Sequence, residues 1–215
     1  MSETKTSETK PSINISPTGP FIVKGLKRLT DAQGNSIKID KPVIALCRCG
    51  ASKNKPFCDG AHSSIGFSGE KERTEEFGTK EFEGRELTII DNIGVCCHAG
   101  VCVDGAPSVF FSWDGDERIS VPDEADKQAI IDTIRKCPSG SLAYKLQDEL
   151  HDEYFSDPEI FVSKDGPLHV RGGTTLNNPA GESPVSSDHY TLCRCGASKN
   201  KPFCDGAHKE AGFEG

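Results

Sequence analysis

The sequence predicts an α+β fold in which two small, β-rich copies of one module bracket a different central domain. The first observation is an internal repeat: residues 46–62 and 192–208 both read LCRCGASKNKPFCDGAH, seventeen identities without a gap. The second is that short alternating, β-branched segments surround each copy, whereas one segment alone has a convincing helical pattern. The third is the count of 10 cysteines in 215 residues. Small cores use such cysteines as disulfides or metal ligands.

The likeness between the two copies continues beyond the identical stretch. GPFIVKG at 19–25 aligns with GPLHVRG at 166–172, which gives a module of about 55 residues. The residues after each Gly-Pro turn alternate, and residues 42–46 and Tyr190–Leu192 are predicted strands that lead into the first two cysteines. We therefore predict a mobile tail at 1–12, a first module at 13–70 and a second module at 158–215. A loop is predicted over residues 177–188.

Between the modules, residues 80–150 are predicted to form a small α+β domain after a charged linker. Residues 87–90 read as a strand, and residues 123–136 as a helix. Pro122 stands at the helix start, and the acidic first turn and basic last turn match the helix dipole. The predicted buried stripe of this helix consists of Ala129, Ile130, Ile131 and Ile134.

The composition indicates the cellular setting. The N-terminal MSETKTSETK is polar and carries acids, so it has no feature of a signal peptide. No apolar run approaches the roughly 18 residues of a membrane span. A net charge of −8 makes nucleic acid and anionic membranes unexpected partners. We therefore expect a soluble, cytoplasmic protein, in which clustered cysteines indicate metal or redox chemistry rather than disulfides.

Each copy of the repeat offers three thiols and one imidazole. Cys58 and His62 are four residues apart, so a helical turn puts both on one face, while Cys47 and Cys49 flank a single residue. Structural zinc favours wider cysteine pairs, whereas the two irons of a 2Fe–2S cluster each take two protein ligands. We prefer an iron–sulfur site and keep zinc as the alternative. The candidate ligands are Cys47, Cys49, Cys58 and His62, then Cys193, Cys195, Cys204 and His208.

The pattern C-x-C-x2-S-x3-P-x-C-D-G-A-H, present twice, resembles the motif of CDGSH-type iron–sulfur (NEET) proteins; only Ala61 and Ala207 replace the serine of the family name. The resemblance implies a 2Fe–2S cluster in each copy, redox activity, and clusters that are lost when the histidine protonates. It also implies that the modules pack as a pseudo-two-fold pair. Tandem copies would do so within one chain, so we expect a monomer.

A second group of cysteines lies in the central segment. Residues 96–102 read CCHAGVC, and Cys137-Pro138 follows the predicted helix. This arrangement resembles the divergent single-cluster (4Fe–4S mono-cluster) ferredoxin domains, with Ala99 in place of the middle cysteine. The resemblance implies a 3Fe–4S or 4Fe–4S cluster on Cys96, Cys102 and Cys137, with Cys97 or His98 as a possible fourth ligand. A loop with buried thiols is the alternative.

The remaining charged and titratable residues give weaker expectations. Basic residues beside the ligands either offset cluster charge or form a docking surface; they are Arg48, Lys53, Lys55, Arg194, Lys199 and Lys201. His151, His169 and His189 are expected on the surface, because no cysteine lies near them in sequence.

No motif for nucleophilic catalysis or nucleotide binding is present, so we do not expect an enzyme. The prediction is an iron–sulfur protein for electron transfer or for cluster storage and transfer. Its partner would be an unidentified redox protein or cluster acceptor. A zinc-stabilised interaction module and a redox or pH sensor are the alternatives.

Overall fold

The computed structural model describes residues 10–115, 117–181 and 183–215, and it is a mixed α/β structure with mostly strands and few helices. Each repeat contributes four short strands in the same order. The elements of the first repeat are β1 (Ser12–Ile15), β2 (Phe21–Lys24), β3 (Leu29–Thr30), β4 (Val43–Leu46) and helix α1 (Ala61–Ser64). The predicted strand at 42–46 is thus confirmed to within one residue.

The central segment contains strands, α-helices and two 3-10 turns, Ile93–Val95 and Pro122–Glu124. Its strands and α-helices are β5 (Lys80–Glu83), β6 (Thr88–Asp91), α2 (Val101–Gly105), α3 (Pro107–Phe110), β7 (Ser112–Asp114), β8 (Glu117–Ile119), α4 (Lys127–Ile134), β9 (Leu142–Leu146) and β10 (Glu149–His151). The second repeat follows with β11 (Glu159–Val162), β12 (Leu168–Arg171), β13 (Thr175–Asn177) and β14 (Tyr190–Leu192). The predicted strand at Tyr190–Leu192 is confirmed. The predicted loop over 177–188 begins one residue later, because Asn177 still pairs with Asn14.

The two repeats exchange their third strands. The first sheet has the order β13-β1-β2-β4, with Ser12 opposite Thr175 in a parallel pair. The other sheet has the order β14-β12-β11-β3, with Leu29 opposite Ile160, also in a parallel pair. Each β-sheet therefore takes one edge strand from the other repeat, and this pairing covers an edge that would otherwise be open.

The buried side chains of both repeats form one apolar core. Strands β1 and β2 alternate buried and partly exposed residues, as expected for strands with one covered face. The same holds for β11 and β12. The fully buried members include Ile13, Phe21, Leu29, Leu46, Ile160, Val170 and Leu192. Neither small module has a separate core, which gives a physical reason for the strand exchange.

The central segment has its own sheet and its own core. Strands β10-β9-β6-β5 form an antiparallel sheet, helices α3 and α4 bury residues against it, and α2 adds the partly buried Cys102. The residues that carry this core are Ile89, Val109, Phe110, Ile130, Ile134, Leu142 and Tyr144. The expected strand at 87–90 corresponds to β6, and the apolar residues Val109 and Phe110 lie in helix α3.

The predicted helix at 123–136 is shorter in the structure. Pro122–Glu124 form a separate 3-10 turn, Ala125 is extended, and α4 begins after Asp126, whose side chain accepts hydrogen bonds from the backbone of Gln128 and Ala129. A capping aspartate bonds to the free N–H groups of the first turn and so sets where the helix begins. The acidic residues before Asp126 favour the helix dipole but do not move this start. Of the predicted stripe, Ala129 is exposed, and Thr133 is buried in its place.

The predicted tail and linker also differ from the sequence expectation. Most of the predicted tail, residues 1–9, lies outside the described residues, but Ser12 already belongs to β1 because its backbone pairs with Lys24 and Thr175. The linker is attached to the second repeat, since the N–H groups of Glu72 and Arg73 donate to the Lys199 carbonyl. None of the helices in the described part of the chain has the length and apolar character that a membrane span requires.

Candidate metal centres

The first motif, residues 47–62, is folded by its own backbone. Strand β4 ends one residue before Cys47, whose N–H donates to the carbonyl of Pro56, and the N–H of Cys58 donates to the carbonyl of Ala45. These two bonds bring the ligand pairs to the same end of the strand. The Cys47 and Cys49 Sγ atoms are 3.8 Å apart, and Cys58 Sγ lies 3.4 Å from His62 Nδ1. Nδ1 is thus the histidine nitrogen presented beside the thiol.

The second motif, residues 193–208, repeats this arrangement. The Cys193 and Cys195 Sγ atoms are 3.6 Å apart, and Cys204 Sγ lies 3.5 Å from His208 Nδ1. Backbone N–H groups point at these sulfurs: Gly206 N lies 3.4 Å from Cys204 Sγ, and Ala197 N lies 3.4 Å from Cys195 Sγ. Such N–H···S contacts favour the thiolate and raise the reduction potential of a bound cluster.

An aspartate holds each ligand loop in shape. Asp59 accepts from the N–H groups of Lys53 and Ala61, at 2.8 and 3.0 Å. Asp205 does the same with Lys199 and Ala207, at 2.8 and 3.1 Å. The carboxylates therefore orient the cysteine–histidine pair from outside. The pKa of Asp59 is lowered because the backbone N–H groups stabilise its charged form.

The two arginines between the ligand cysteines are not a docking surface. Arg48 is 3% exposed and donates to the carbonyls of Ser16 and Gly69. Arg194 is 2% exposed and donates to the carbonyls of Gly166, Ser163 and Gly215. Alternation along an extended C-R-C segment sends the arginine to the side opposite the thiols, and this period-2 signal was available in the sequence. Lys201 is also buried, with Nζ 3.0 Å from Glu72.

The two motifs meet each other through their backbones. Cys49 and Cys195 form an isolated antiparallel β-bridge. The buried arginine of each motif also interacts electrostatically with a cysteine of the other motif. Burial lowers the pKa of Arg48 to about 10 while Cys193 raises it, and burial lowers the pKa of Arg194 while Cys47 raises it. Each arginine therefore lies within electrostatic range of a ligand cysteine of the other motif.

The central cysteines are gathered around one pocket. Its lining includes Cys96, Cys97, Cys102, Cys137 and Arg118. We call the four cysteines the central site. The Cys137 Sγ atom lies 3.3 Å from Ser141 Oγ, and His98 N lies 3.4 Å from Cys96 Sγ. Sequence reasoning found the cysteines but not Arg118, which is distant from them in sequence and carries no motif, and it assigned no role to Ser141, four residues after Cys137.

The central thiols need a positive partner to ionise. Burial raises the pKa of Cys96 to about 12, and the charges of the other three cysteines add to this effect. Burial also raises the pKa of Cys97 and of Cys102, and Arg118 opposes the rise at Cys102. A cationic metal centre would supply the charge that makes the thiolates stable together.

The remaining histidines occupy different places from those expected. His98 is exposed and has a positive φ of 52°. His189 is 1% exposed rather than on the surface, because Asp188 accepts from its Nδ1 at 3.1 Å and Tyr154 and Phe155 cover the ring. His169 and His151 are partly buried, His169 against Phe161 and His151 against Tyr144. Tyr144 and Phe161 are the cross-strand partners of His151 and His169, whereas Tyr154 and Phe155 are far from His189 in sequence.

The paired donor groups of the two motifs fit an iron–sulfur cluster. All ten cysteines lie among the described residues, and none of them is in a disulfide. In each motif the ligands stand in two adjacent pairs. Within the described residues, no three His, Cys, Asp or Glu side chains are grouped to hold one metal ion. Two ligands at each of two metal positions is the requirement of a two-iron cluster.

Comparisons with known proteins agree with this layout. Residues 18–63 and 165–209 match the family described as iron-binding zinc finger, CDGSH type, and residues 82–147 match the divergent 4Fe–4S mono-cluster family. The uncharacterized protein YjdI of Escherichia coli strain K12 is 31% identical over 72 residues, which are 32% of this chain and 87% of that protein. YjdI of Escherichia coli O157:H7 matches to the same extent. No solved structure matches the chain significantly.

Proposed function

Since the chain belongs to the CDGSH-type iron-binding family, with a divergent 4Fe–4S mono-cluster domain between two copies of the motif, we propose that this iron–sulfur protein carries three clusters and transfers electrons. The observation that carries the proposal is the pairing of ligands. Each motif presents a cysteine pair and a cysteine–histidine pair, while four further cysteines line the central pocket.

The outer sites are proposed to hold one 2Fe–2S cluster each. The ligands would be Cys47, Cys49, Cys58 and His62, then Cys193, Cys195, Cys204 and His208. Bound there, the clusters would supply one-electron chemistry. The chain's own residues bury the thiols, direct backbone N–H groups at the sulfurs and present histidine Nδ1. An imidazole in place of a thiolate makes the site less negative, which raises its potential.

The central site is proposed to hold a 4Fe–4S cluster in a ferredoxin-like domain, with Cys96, Cys97, Cys102 and Cys137 as ligands. Cys97 supports this choice over a 3Fe–4S cluster, because it is 3% exposed and lines the same pocket as the other three cysteines. The alternative fourth ligand, His98, is exposed; burial lowers the pKa of its imidazole, and the charge of Asp205 in the second motif raises it.

The two outer modules are proposed to form a pseudo-two-fold pair within one chain. The reciprocal exchange of β3 and β13 supports this proposal, as does the bridge between Cys49 and Cys195. A shared core fixes the two ligand sets relative to each other, which suits a carrier that passes electrons with little rearrangement. We therefore propose a carrier with a separate redox protein as partner, and no catalytic site of its own.

Anaerobic purification followed by metal and sulfide analysis tests this function. We expect about eight iron and eight sulfide per chain, visible absorbance, and electron paramagnetic resonance signals of two kinds after reduction. A colourless protein that contains zinc and neither iron nor sulfide would falsify the proposal and favour the zinc-stabilised interaction module.

A second candidate function, cluster donation, is favoured by one observation. In the first motif Cys58 and His62 are partly exposed and Asp59 and Gly60 are fully exposed, so an acceptor protein has access to the ligands that would have to be released. Incubation with a cluster-free 2Fe–2S acceptor tests it, since donation transfers iron and sulfide together, whereas electron transfer leaves them on the chain.

A further inference from the structure

The two motifs are identical in sequence but differ in surroundings. Cys204 is 2% exposed and Asn200 is 4% exposed, whereas their counterparts Cys58 and Asn54 are partly exposed and exposed, respectively. Because seventeen residues are the same in both copies, the difference cannot come from the motifs themselves. It comes from what packs on each of them.

The second motif is covered by the central domain and by the linker that precedes it. Asn200 Nδ2 donates to the Gly94 carbonyl at 2.8 Å, and Lys209 Nζ donates to the His98 carbonyl at 2.7 Å. Arg73 also donates to the Gly94 carbonyl, and Lys201 pairs with Glu72. These contacts attach the loop of residues 94–98 to the ligand loop of the second motif.

The closest approach is at Gly206, beside the ligand Cys204. A Cβ atom added there would lie 3.2 Å from both the Cys97 carbonyl oxygen and His98 Cβ. At Gly60, the same position of the first motif, a Cβ atom would meet nothing within 4 Å. Both glycines have a positive φ, 86° and 91°. The backbone conformation is therefore similar at the two glycines, and only Gly206 is in close contact with the central domain.

Cys97 connects the two sites. Its own pKa is raised first by burial and then by the charge of Cys137 in the central site. Burial also raises the pKa of Cys204, and Cys97 adds to that rise. The Cys97 thiol thus lies within electrostatic range of one ligand of the central site and one ligand of the second motif.

We propose that the loop of residues 94–98 makes the two identical motifs functionally unequal: it closes the second motif against the central site and leaves the first motif as the one open to an external partner. The role assigned to the motifs rests on the proposed function. The inequality itself rests on contacts that exist whichever metal is bound.

Cysteine accessibility tests the proposal without an activity assay. The full-length protein, purified anaerobically, is treated with an iron chelator and iodoacetamide, and samples taken over time are digested with trypsin. Trypsin does not cut before proline, so Cys58 appears in the peptide 54–71 and Cys204 in the peptide 200–209, which differ in mass. We expect Cys58 to be modified about tenfold faster than Cys204, because modification of a buried thiol needs local opening. Equal rates would overturn the proposal.

A matched pair of variants assigns the protection to the loop. Asn200→Asp places a carboxylate against the Gly94 carbonyl, so Cys204 modification should accelerate at least about fivefold, toward the rate of Cys58. Asn54→Asp makes the same change where the side chain is exposed, and both rates should stay unchanged.

Lys209→Ala, which removes the bond to the His98 carbonyl, is the second variant, with Ser63→Ala at the equivalent position as its control. If both Asn200→Asp and Lys209→Ala keep the parental circular dichroism spectrum and Cys204 stays protected, the loop does not close the site. Failure of the proposed function would be seen separately, as missing iron and sulfide in the starting protein.

Discussion

The backbones of Cys49 and Cys195 lie side by side in an antiparallel β-bridge, so a cysteine of each motif stands at the contact between the repeats. The residues that follow them are glycines with positive φ, 77° at Gly50 and 83° at Gly196. A Cβ atom at Gly50 would lie 2.4 Å from the Cys195 carbonyl oxygen, and one at Gly196 would lie 2.7 Å from the Cys49 carbonyl oxygen. Only glycine permits this approach, because both the space and the backbone conformation exclude a side chain.

Gly50→Ala should therefore destabilise the protein by about 3 kcal/mol or more, since it combines a backbone clash with positive-φ strain. Urea unfolding measures the effect. Gly34→Ala is the control, because Gly34 has a φ of 81° but nothing within 4 Å, and it should cost only about 1 kcal/mol. Equal losses in the two variants would show that the close contact between the motifs is energetically unimportant.

His62→Cys and His208→Cys should each lower the reduction potential of one outer cluster, on the order of 100 mV, because a fourth thiolate adds negative charge. Each variant should also slow the loss of that cluster in mild acid, since histidine is the ligand type that protonates near neutral pH. Spectroelectrochemistry and the decay of visible absorbance after a pH jump are the measurements. If both variants bleach as fast as the parent, the histidines are not ligands.

Cys97→Ser should convert the central cluster from the 4Fe–4S to the 3Fe–4S type, because three thiolates remain at the central site. The iron content should fall by about one per chain, and the oxidised protein should gain a paramagnetic signal, since the oxidised 3Fe–4S cluster has an unpaired electron. His98→Ala is the control and should leave iron content and spectra unchanged. The reverse pattern would make His98 the fourth ligand.

Asp188→Ala should lower the free energy of unfolding by about 3 kcal/mol, because it removes charge-assisted hydrogen bonds inside the protein. Asp188 Oδ2 accepts from the N–H groups of Tyr154 and Phe155, at 2.8 and 3.2 Å, and from His189. Asp31→Ala removes an aspartate that accepts backbone N–H bonds in an exposed turn, and the free energy of unfolding should fall much less than in Asp188→Ala. Urea unfolding of the two variants compares a buried with an exposed aspartate.

His169→Ile should make unfolding less dependent on pH. Burial lowers the pKa of His169 to about 4, so between that value and the usual 6.5 the unfolded chain binds a proton that the folded chain does not. The contribution of neutral His169 to the free energy of unfolding is thus fully present above about pH 6.5 and is lost as the pH falls toward 4. Isoleucine is chosen because Ile22 occupies the equivalent position of the first repeat. Between pH 7 and pH 5, the free energy of unfolding of the parent should fall by about 2 kcal/mol more than that of His169→Ile. A constant difference between the two proteins would mean that His169 titrates normally.

The pairing of the outer candidate ligands was predictable from the sequence, because it depends on the spacing of residues close together along the chain. The outer candidate ligands follow from the spacing of Cys58 and His62 and from the one-residue gap between Cys47 and Cys49, and both pairs are in contact in the structure. The predicted helical turn over Cys58 and His62 is wrong, because helix α1 begins only at Ala61 and the turn at Asp59 brings the two side chains together. The strands that precede the first cysteines were predicted from β-branched residues. The predicted start of helix α4 at residue 123 is too early. Asp123, Glu124 and Asp126 are all suitable first-turn or capping residues, and the sequence does not show that Asp126 is the cap.

Sequence alone thus determined what chemistry the chain offers: two copies of one ligand set and a third group of cysteines between them. Tertiary structure decided how those groups are related. The exchange of β3 and β13, the buried arginines and the cover over the second motif all depend on contacts between residues far apart along the chain. Two identical segments cannot encode a difference between themselves. The difference between Cys58 and Cys204 therefore arises only from the residues that fold against each copy.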